Sequence, residues 1–210
     1  DKTWIVKYDD LGRQTRVLYP RTKKGTNHIK EIKYNDGENS MTVIDPEKRK
    51  AYTKMDWNGN PVEVIAYGDS RTPDGGELVY RYTYDPLKRK TSFTDARGFV
   101  TKYEYDERNL LVEQGYWNGS DVMEYNDLGQ LVKKIDRKGQ VIVMSYDEMG
   151  RNTKVSHYLS ESALQGGTEE YEVLTEYDNR GNAVRISNDN LVEYYVYNAS
   201  GMVETLKRRL

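Results

Sequence analysis

Acidic side chains recur along the sequence where they could do chemistry. An Asp or Asn follows a Tyr, or in one copy a Met, nine times between Tyr8 and Asn198. Two carboxylates that converge on one substrate can act as general acid and general base, and clustered carboxylates can bind calcium. A protein needs a catalytic or calcium-binding group of residues only once, whereas this pair, a Tyr or in one case a Met followed by Asp or Asn, occurs in every copy of the repeat. The repetition therefore favours a structural role and predicts no enzymatic activity.

The residues around each acidic position are typical of a hairpin turn. Asp or Asn at the first position of a type I turn accepts a hydrogen bond from a backbone N–H two residues on, and Gly at the fourth position adopts a positive φ. Six copies have both residues: Asp9 and Gly12, Asp56 and Gly59, Asn126 and Gly129, Asp147 and Gly150, Asp178 and Gly181, Asn198 and Gly201. Asn109 also tolerates a positive φ, whereas Glu38 and Lys88 predict two irregular copies.

The turns belong to an internal repeat. We call the Tyr or Met before each acidic residue the anchor, and the turn after it the first turn. The anchors are Tyr8, Tyr34, Met55, Tyr84, Tyr105, Tyr125, Tyr146, Tyr177 and Tyr197. Their basic spacing is 20 or 21 residues, and the three longer spacings contain polar insertions at 21–27, 68–77 and 160–170. A second turn is predicted about eleven residues after the anchor, as at 45–48, 95–98 and 136–139, with weaker versions at 117–120 and 187–190. Each period is thus strand, turn, strand, turn.

The fold class predicted is all-β, a repetitive antiparallel hairpin meander of about eighteen short strands. Apolar and polar residues alternate in segments such as Tyr80 to Tyr84, and the chain has 19 Tyr against 2 Phe and 3 Trp, which suits half-buried sheets. Because strands twist, so wide a sheet must curl, close on itself or coil as a β-solenoid. We expect one array of about nine repeats over residues 1–210, cut from a longer protein because the repeat is already under way at Tyr8.

Composition excludes several classes of function. The chain has no cysteine, so disulfides, thiolate zinc sites and thiol catalysis are absent. The net charge is −2 with both signs interspersed, so no basic stripe predicts nucleic-acid binding. No apolar run reaches the roughly 18 residues of a membrane span. His28 and His157 have no partners at ligand spacing, and we predict no metal site and no cofactor.

Two tryptophans are the candidate ligand-binding residues. Trp57 and Trp117 both lie within turns, in DWNGN and YWNGS. They are therefore outside the predicted strands, and packing of the sheet does not require them. An exposed aromatic ring beside Asn and Asp could stack on a sugar. The alternative is that each ring folds back over its own hairpin.

The motif resembles a known family. The segments YDDLGR at 8–13, YEYDERN at 103–109 and YDEMGR at 146–151 resemble the YD repeat of the Rhs family, which includes bacterial polymorphic toxins, insecticidal toxin complexes, wall-associated proteins and teneurins. The resemblance implies a β-sheet strip that spirals into a hollow shell, which in the toxins encloses a C-terminal effector polypeptide. It also implies a secreted or cell-surface bacterial protein. The self-cleaving block that some members carry near the end of the shell has no match.

We therefore expect a non-catalytic structural segment that helps to enclose or present a toxin or another polypeptide. The alternative is an adhesion module that binds carbohydrate or a receptor. The expected partners are the rest of the parent Rhs protein, an enclosed effector and, in the alternative, glycans. Unpaired terminal strands would also allow edge-to-edge self-association.

Overall fold

The computed structural model describes residues 3–20, 28–67 and 76–209. They fall into two compact units, Asp1–Lys102 and Tyr103–Leu210, and each unit is an antiparallel sheet. The insertion at 21–27 and most of that at 68–77 lie outside the described residues.

The strands of the first unit are short and follow one another with little intervening chain. They are β1 Ile5–Tyr8, β2 Gln14–Leu18, β3 Ile29–Asn35, β4 Ser40–Ile44, β5 Lys50–Met55, β6 Pro61–Tyr67, β7 Glu77–Tyr84 and β8 Lys90–Thr94. A single 3-10 turn, Asp36–Glu38, joins β3 to β4. Strand β9, Val100–Tyr105, contains the division between the units.

The second unit repeats the same arrangement. Its strands are β10 Leu111–Tyr116, β11 Gly119–Tyr125, β12 Leu131–Ile135, β13 Val141–Tyr146, β14 Asn152–Tyr158, β15 Tyr171–Tyr177, β16 Ala183–Ser187, β17 Val192–Tyr197 and β18 Val203–Arg209. The insertion at 160–170 contains a short helix, α1 Glu161–Gln165, whose first turn is capped by Ser160. No helix among the described residues is long and apolar enough to cross a membrane.

Within each unit the strand pairs are antiparallel and join strands that are consecutive in sequence, for example β5 with β6 and β13 with β14. The all-β hairpin meander and its eighteen strands are therefore confirmed within the described residues. The pairing register shifts by one residue at an anchor, as between Ser145 and Tyr146. This shift is the bulge expected beside a turn with glycine at its fourth position.

Neither sheet has a thick core. Only three apolar side chains are buried among the described residues, namely Val17, Met123 and Val141, and Val141 alone is fully enclosed. Most strand residues are half-buried instead. A sheet with so few buried side chains needs few apolar residues, which agrees with the mean hydropathy of −0.92.

Candidate functional site

The Asp or Asn of the first turn closes that turn with its side chain in eight of the nine copies, and Asn35 is the exception. Asp147 Oδ1 accepts hydrogen bonds from the backbone N–H of Met149 at 3.0 Å and of Arg151 at 2.9 Å. Asp147 Oδ2 accepts from Arg151 Nε at 2.7 Å, and Gly150 takes a φ of +79°. The hydrogen bond from the Arg151 backbone N–H lowers the pKa of Asp147. Desolvation raises this pKa, and the bond from the Arg151 guanidinium lowers it further.

The other acidic turns are built in the same way. Oδ1 accepts from the backbone N–H four residues on at Asp9, Asp45, Asp56, Asp85, Asp95, Asp106, Asn126, Asp136, Asp178 and Asn198. The predicted glycines take φ values of +75° to +88° at Gly12, Gly59, Gly129, Gly150, Gly181 and Gly201. Each of these aspartate carboxylates is thus held by its own turn. Within the described part of the chain, no group of His, Asp and Glu could hold a metal ion.

One predicted irregularity is correct and the other is wrong. Near Glu38 the chain forms the 3-10 turn, and Asn39 takes the left-handed conformation with a φ of 50°. Lys88, in contrast, adopts a φ of 64° and keeps the regular bond from its N–H to the Asp85 carbonyl at 2.9 Å. The Asp85 side chain holds this turn closed although a lysine occupies the glycine position.

The arginine that ends the YDxxGR motif connects one repeat to the next. Arg151 pairs with Asp147, lies over the ring of the next anchor Tyr177 at 4.8 Å, and donates to the Asp178 carbonyl at 2.9 Å. Arg13 does the same: it pairs with Asp9, lies over Tyr34 at 4.2 Å and pairs with Asp36. This contact was not predicted from the sequence, although the recurrence of Arg five residues after an anchor was a signal for it.

The anchor hydroxyls make a second connection between repeats. Tyr146 Oη donates to the carbonyl of Leu131 at 2.7 Å, and Leu131 lies six residues after the preceding anchor. The same spacing relates Tyr34 to Gln14, Tyr84 to Pro61, Tyr125 to Leu111, Tyr177 to Asn152 and Tyr197 to Ala183. This bond explains why the anchor is tyrosine and almost never phenylalanine, since the phenol satisfies a carbonyl at the end of a strand.

The two candidate tryptophans are exposed and do not fold back into a core. Trp57 is 94% exposed and Trp117 is 75% exposed. Trp57 borders a shallow hollow with Glu38, Asn39, Tyr52 and Lys54, where an aromatic ring stands beside a carboxylate, an amide and an ammonium group.

Trp117 begins the tight connection between β10, which ends at Tyr116, and β11, which begins at Gly119. The weaker second turn predicted at 117–120 is therefore present, but it is a two-residue loop. Trp57 and Trp117 lie in different units.

The histidines lie in ordinary surroundings. The backbone carbonyl of His28 accepts from the N–H of Tyr19 at 2.9 Å. The His157 ring stacks on that of Tyr171, with centroids 4.2 Å apart and planes at 14°. Neither histidine is part of a nucleophile pair or a metal site among the described residues.

The repeat geometry agrees with comparison to known families. Residues 84–121, which begin at an anchor and contain two first turns and two second turns, match the RHS Repeat family model. The predicted resemblance to the YD repeat of Rhs proteins is therefore confirmed. No curated protein sequence matches the chain.

Solved structures show the same fold. The chain is similar to part of the Photorhabdus luminescens Tc holotoxin pore carrying a point mutant of TccC3, with a TM-score of 0.74 and 16% identity over 97% of this chain and 12% of that chain. It is also similar to part of a TcdB2–TccC3–TEV structure, with a TM-score of 0.61 and 16% identity over 95% of this chain and 12% of that chain. A TcdB2–TccC3 structure matches with a TM-score of 0.59 and 12% identity over 99% of this chain and 14% of that chain. The chain thus spans about an eighth of the length of the chains that it matches.

Proposed function

We propose that this chain is a non-catalytic wall segment of a secreted Rhs toxin-complex component, which helps to enclose or present another polypeptide. The observation that carries the proposal is that the motif residues are used in holding each repeat to itself and to its neighbour. The Tyr146 hydroxyl binds the preceding repeat, and Arg151 binds the following one. Contacts of this kind stabilise a long sheet.

The structural similarity supports the same role. TcdB2–TccC3 structures contain the same fold over 95% or more of this chain, and one of them was solved without a hypervariable C-terminal region. If this chain belongs to a wall of that kind, its partners are the neighbouring repeats of the parent protein and a variable polypeptide inside it.

The test is removal of one repeat from the full-length protein that carries this segment. Deletion of residues 126–146 runs from one anchor to the next and removes two strands without changing the phase of the hairpins. We expect the polypeptide downstream of the repeats to become sensitive to added protease, because a gap of two strands opens the wall. The matched control deletes residues 161–167, which contain helix α1 and no strand, and should leave protection unchanged.

An equally protected downstream polypeptide in the repeat-deleted protein would contradict enclosure. Enclosure would also be contradicted if protease cut the downstream polypeptide of the unaltered protein as readily as that of the repeat-deleted protein.

The second candidate function is carbohydrate binding, and the exposure of the two tryptophans favours it. Trp57 presents an almost bare ring next to Glu38 and Lys54, an arrangement that could stack on a sugar face and bind its hydroxyls. Trp57→Ala and Trp117→Ala variants on a glycan array test this function. Full retention of binding to every glycan that the unaltered chain recognises would rule out the tryptophans as the platform.

A further inference from the structure

One turn aspartate differs from all the others in how its carboxylate is used. In eight turns the Oδ2 atom accepts from a side chain of the same turn: Asp9 from Arg13, Asp45 from Arg49, Asp56 from Asn60, Asp85 from Arg89, Asp95 from Arg97, Asp106 from Arg108, Asp147 from Arg151 and Asp178 from Asn182. Asp136 makes the usual Oδ1 bonds, to the N–H groups of Lys138 and Gln140 at 2.8 and 2.9 Å. Among the described residues, no donor reaches Asp136 Oδ2.

Two of the nearby cations, Arg137 and Lys134, are engaged elsewhere. The Arg137 guanidinium lies over the ring of Tyr116 at 4.7 Å, and the Arg137 backbone N–H donates to Asp121 Oδ1 at 3.0 Å. Lys134 pairs with Asp121 Oδ2 at 2.9 Å. The second turn at Asp136 therefore leaves one carboxylate oxygen available although it is rich in basic residues.

Asp136 lines a hollow with an aromatic wall. Asp136, Gln140, Ile142, His157, Glu170 and Tyr171 line this hollow. Ile142, His157 and Tyr171 are direct partners on three adjacent strands, so they lie in one row across the sheet. The hollow has a volume of about 170 Å³, close to the roughly 150 Å³ that holds a benzene-sized molecule.

The chemistry of the lining selects a planar cation. Glu170 adds a second carboxylate, which no described side chain pairs with, and Gln140 adds an amide whose side chain makes no bond within the described residues. The His157 and Tyr171 rings stack face to face at 4.2 Å, so together they form an aromatic surface. A guanidinium group is flat, stacks on aromatic faces and donates two parallel hydrogen bonds to a carboxylate, whereas an ammonium group is a point charge that cannot donate in this paired geometry.

We propose that the hollow between Asp136, Glu170 and the His157–Tyr171 stack is a binding site for the arginine side chain of a polypeptide partner. The guanidinium stacks on the aromatic pair and donates to Asp136 Oδ2, with Glu170 at the other side of the hollow. The Asp136 turn is then completed by a partner's arginine in place of the internal arginine that closes the Asp147 turn.

The test is an NMR titration of the whole chain with N-acetyl-arginine amide, compared with N-acetyl-citrulline amide, which has the same shape without the charge. A single guanidinium contact should give a Kd in the millimolar range, so the titration runs to about 50 mM, which exceeds that Kd severalfold. We expect saturable shifts of the His157 and Tyr171 signals with the arginine probe and at least fivefold weaker binding of the citrulline probe. Equal binding of the two probes, or no shift at the highest concentration, would overturn the proposal.

Two variants and a matched control locate the site. Asp136→Asn keeps the Oδ1 acceptor, as Asn126 does in its own turn, and removes the charge. Glu170→Gln alters an exposed side chain that makes no bond in its own hairpin, so it keeps the test valid if Asp136→Asn does not fold. Both should weaken the arginine probe at least threefold, whereas the control Asp178→Asn should not, because Asn182 engages that carboxylate. Unchanged binding in both variants, or an equal loss in the control, would contradict the assignment.

Discussion

The turn at Asp147–Arg151 and the hairpin end at Asp36–Asn39 occupy the same place in their repeats but are built differently. In the first, every polar group of the motif has a partner within the turn or in the adjoining repeat. In the second, the Asn35 side chain makes no capping bond, and the chain closes through a 3-10 turn. Asn39, the residue that follows this turn, donates its side-chain amide to the Met55 and Asp56 carbonyls.

The difference shows what a complete motif does. Where Asp, Gly and Arg are all present, as at Asp147, their side chains close the turn and bind the next repeat. At the irregular hairpin end these bonds are missing, and the Trp57 hollow lies against it. Lys88 shows that glycine alone does not decide the outcome, because the Asp85 turn keeps its regular bonds without one.

Acidification should have the largest effect on stability, because it acts on all the closed turns together. The pKa is lowered in the folded chain at Asp9, Asp36, Asp45, Asp56, Asp85, Asp95, Asp106, Asp147 and Asp178. A carboxyl group with a lowered folded pKa contributes stability above its unfolded pKa, near 4, and that contribution is lost as the pH falls through the folded value.

We therefore expect the Tm to be steady from pH 7 to about 5 and to fall steeply below about 4. Circular dichroism melts across this range measure it. Asp147→Asn should make the acid-induced fall smaller, since one of the contributing groups no longer titrates. A Tm that holds down to about pH 2 would mean that the charged form of the turn aspartates is not what closes the turns.

The next largest effect should come from removing one anchor hydroxyl. Tyr146→Phe leaves the Leu131 carbonyl without its donor, and we expect the free energy of unfolding to fall by about 1 kcal/mol. Tyr8→Phe is the matched control, because Tyr8 is 63% exposed and its hydroxyl makes no bond among the described residues. Urea unfolding of both variants measures the difference. Equal changes would show that the recurrent phenol bond does not hold neighbouring repeats together.

A smaller effect, this time a gain in stability, is expected when the lysine that naturally stands at a glycine position is changed to glycine. Lys88 has a φ of 64°, so Lys88→Gly relieves backbone strain and should stabilise the chain by about 0.5 kcal/mol after the entropy of glycine is subtracted. Gly12→Lys is the inverse control, since the φ of Gly12 is +75° and an added Cβ would meet no atom within 4 Å. It should destabilise the chain by about 1 kcal/mol. Thermal melts that place the two changes on the same side of the unaltered protein would contradict this account.

The sequence predicted the hairpins more fully than the contacts between them. The turn chemistry is local, so Asp147 and Gly150 could be recognised from four residues. The bonds of Tyr146 to Leu131 and of Arg151 to Tyr177 join residues 15 and 26 positions apart, and only the pairing register brings them together. The spare oxygen of Asp136 was not predictable either, because the sequence alone suggests that Arg137 or Lys138 would occupy it.

The smallest effect on stability is expected for mutation of Trp57. The size of this effect distinguishes a ring that binds a ligand from a ring that supports the fold. A side chain that is 94% exposed removes almost no surface from water, so Trp57→Ala should change the free energy of unfolding by less than about 0.5 kcal/mol. Trp4 is the contrasting case, since it packs edge-on against Tyr19 with ring centroids 4.7 Å apart, and Trp4→Ala should cost about 1 kcal/mol. Urea unfolding followed by circular dichroism measures both variants without relying on tryptophan fluorescence. A loss above about 1.5 kcal/mol for Trp57→Ala would show that the ring supports the irregular hairpin end at Asp36–Asn39, and the hollow beside it would then be a packing contact instead of a sugar platform.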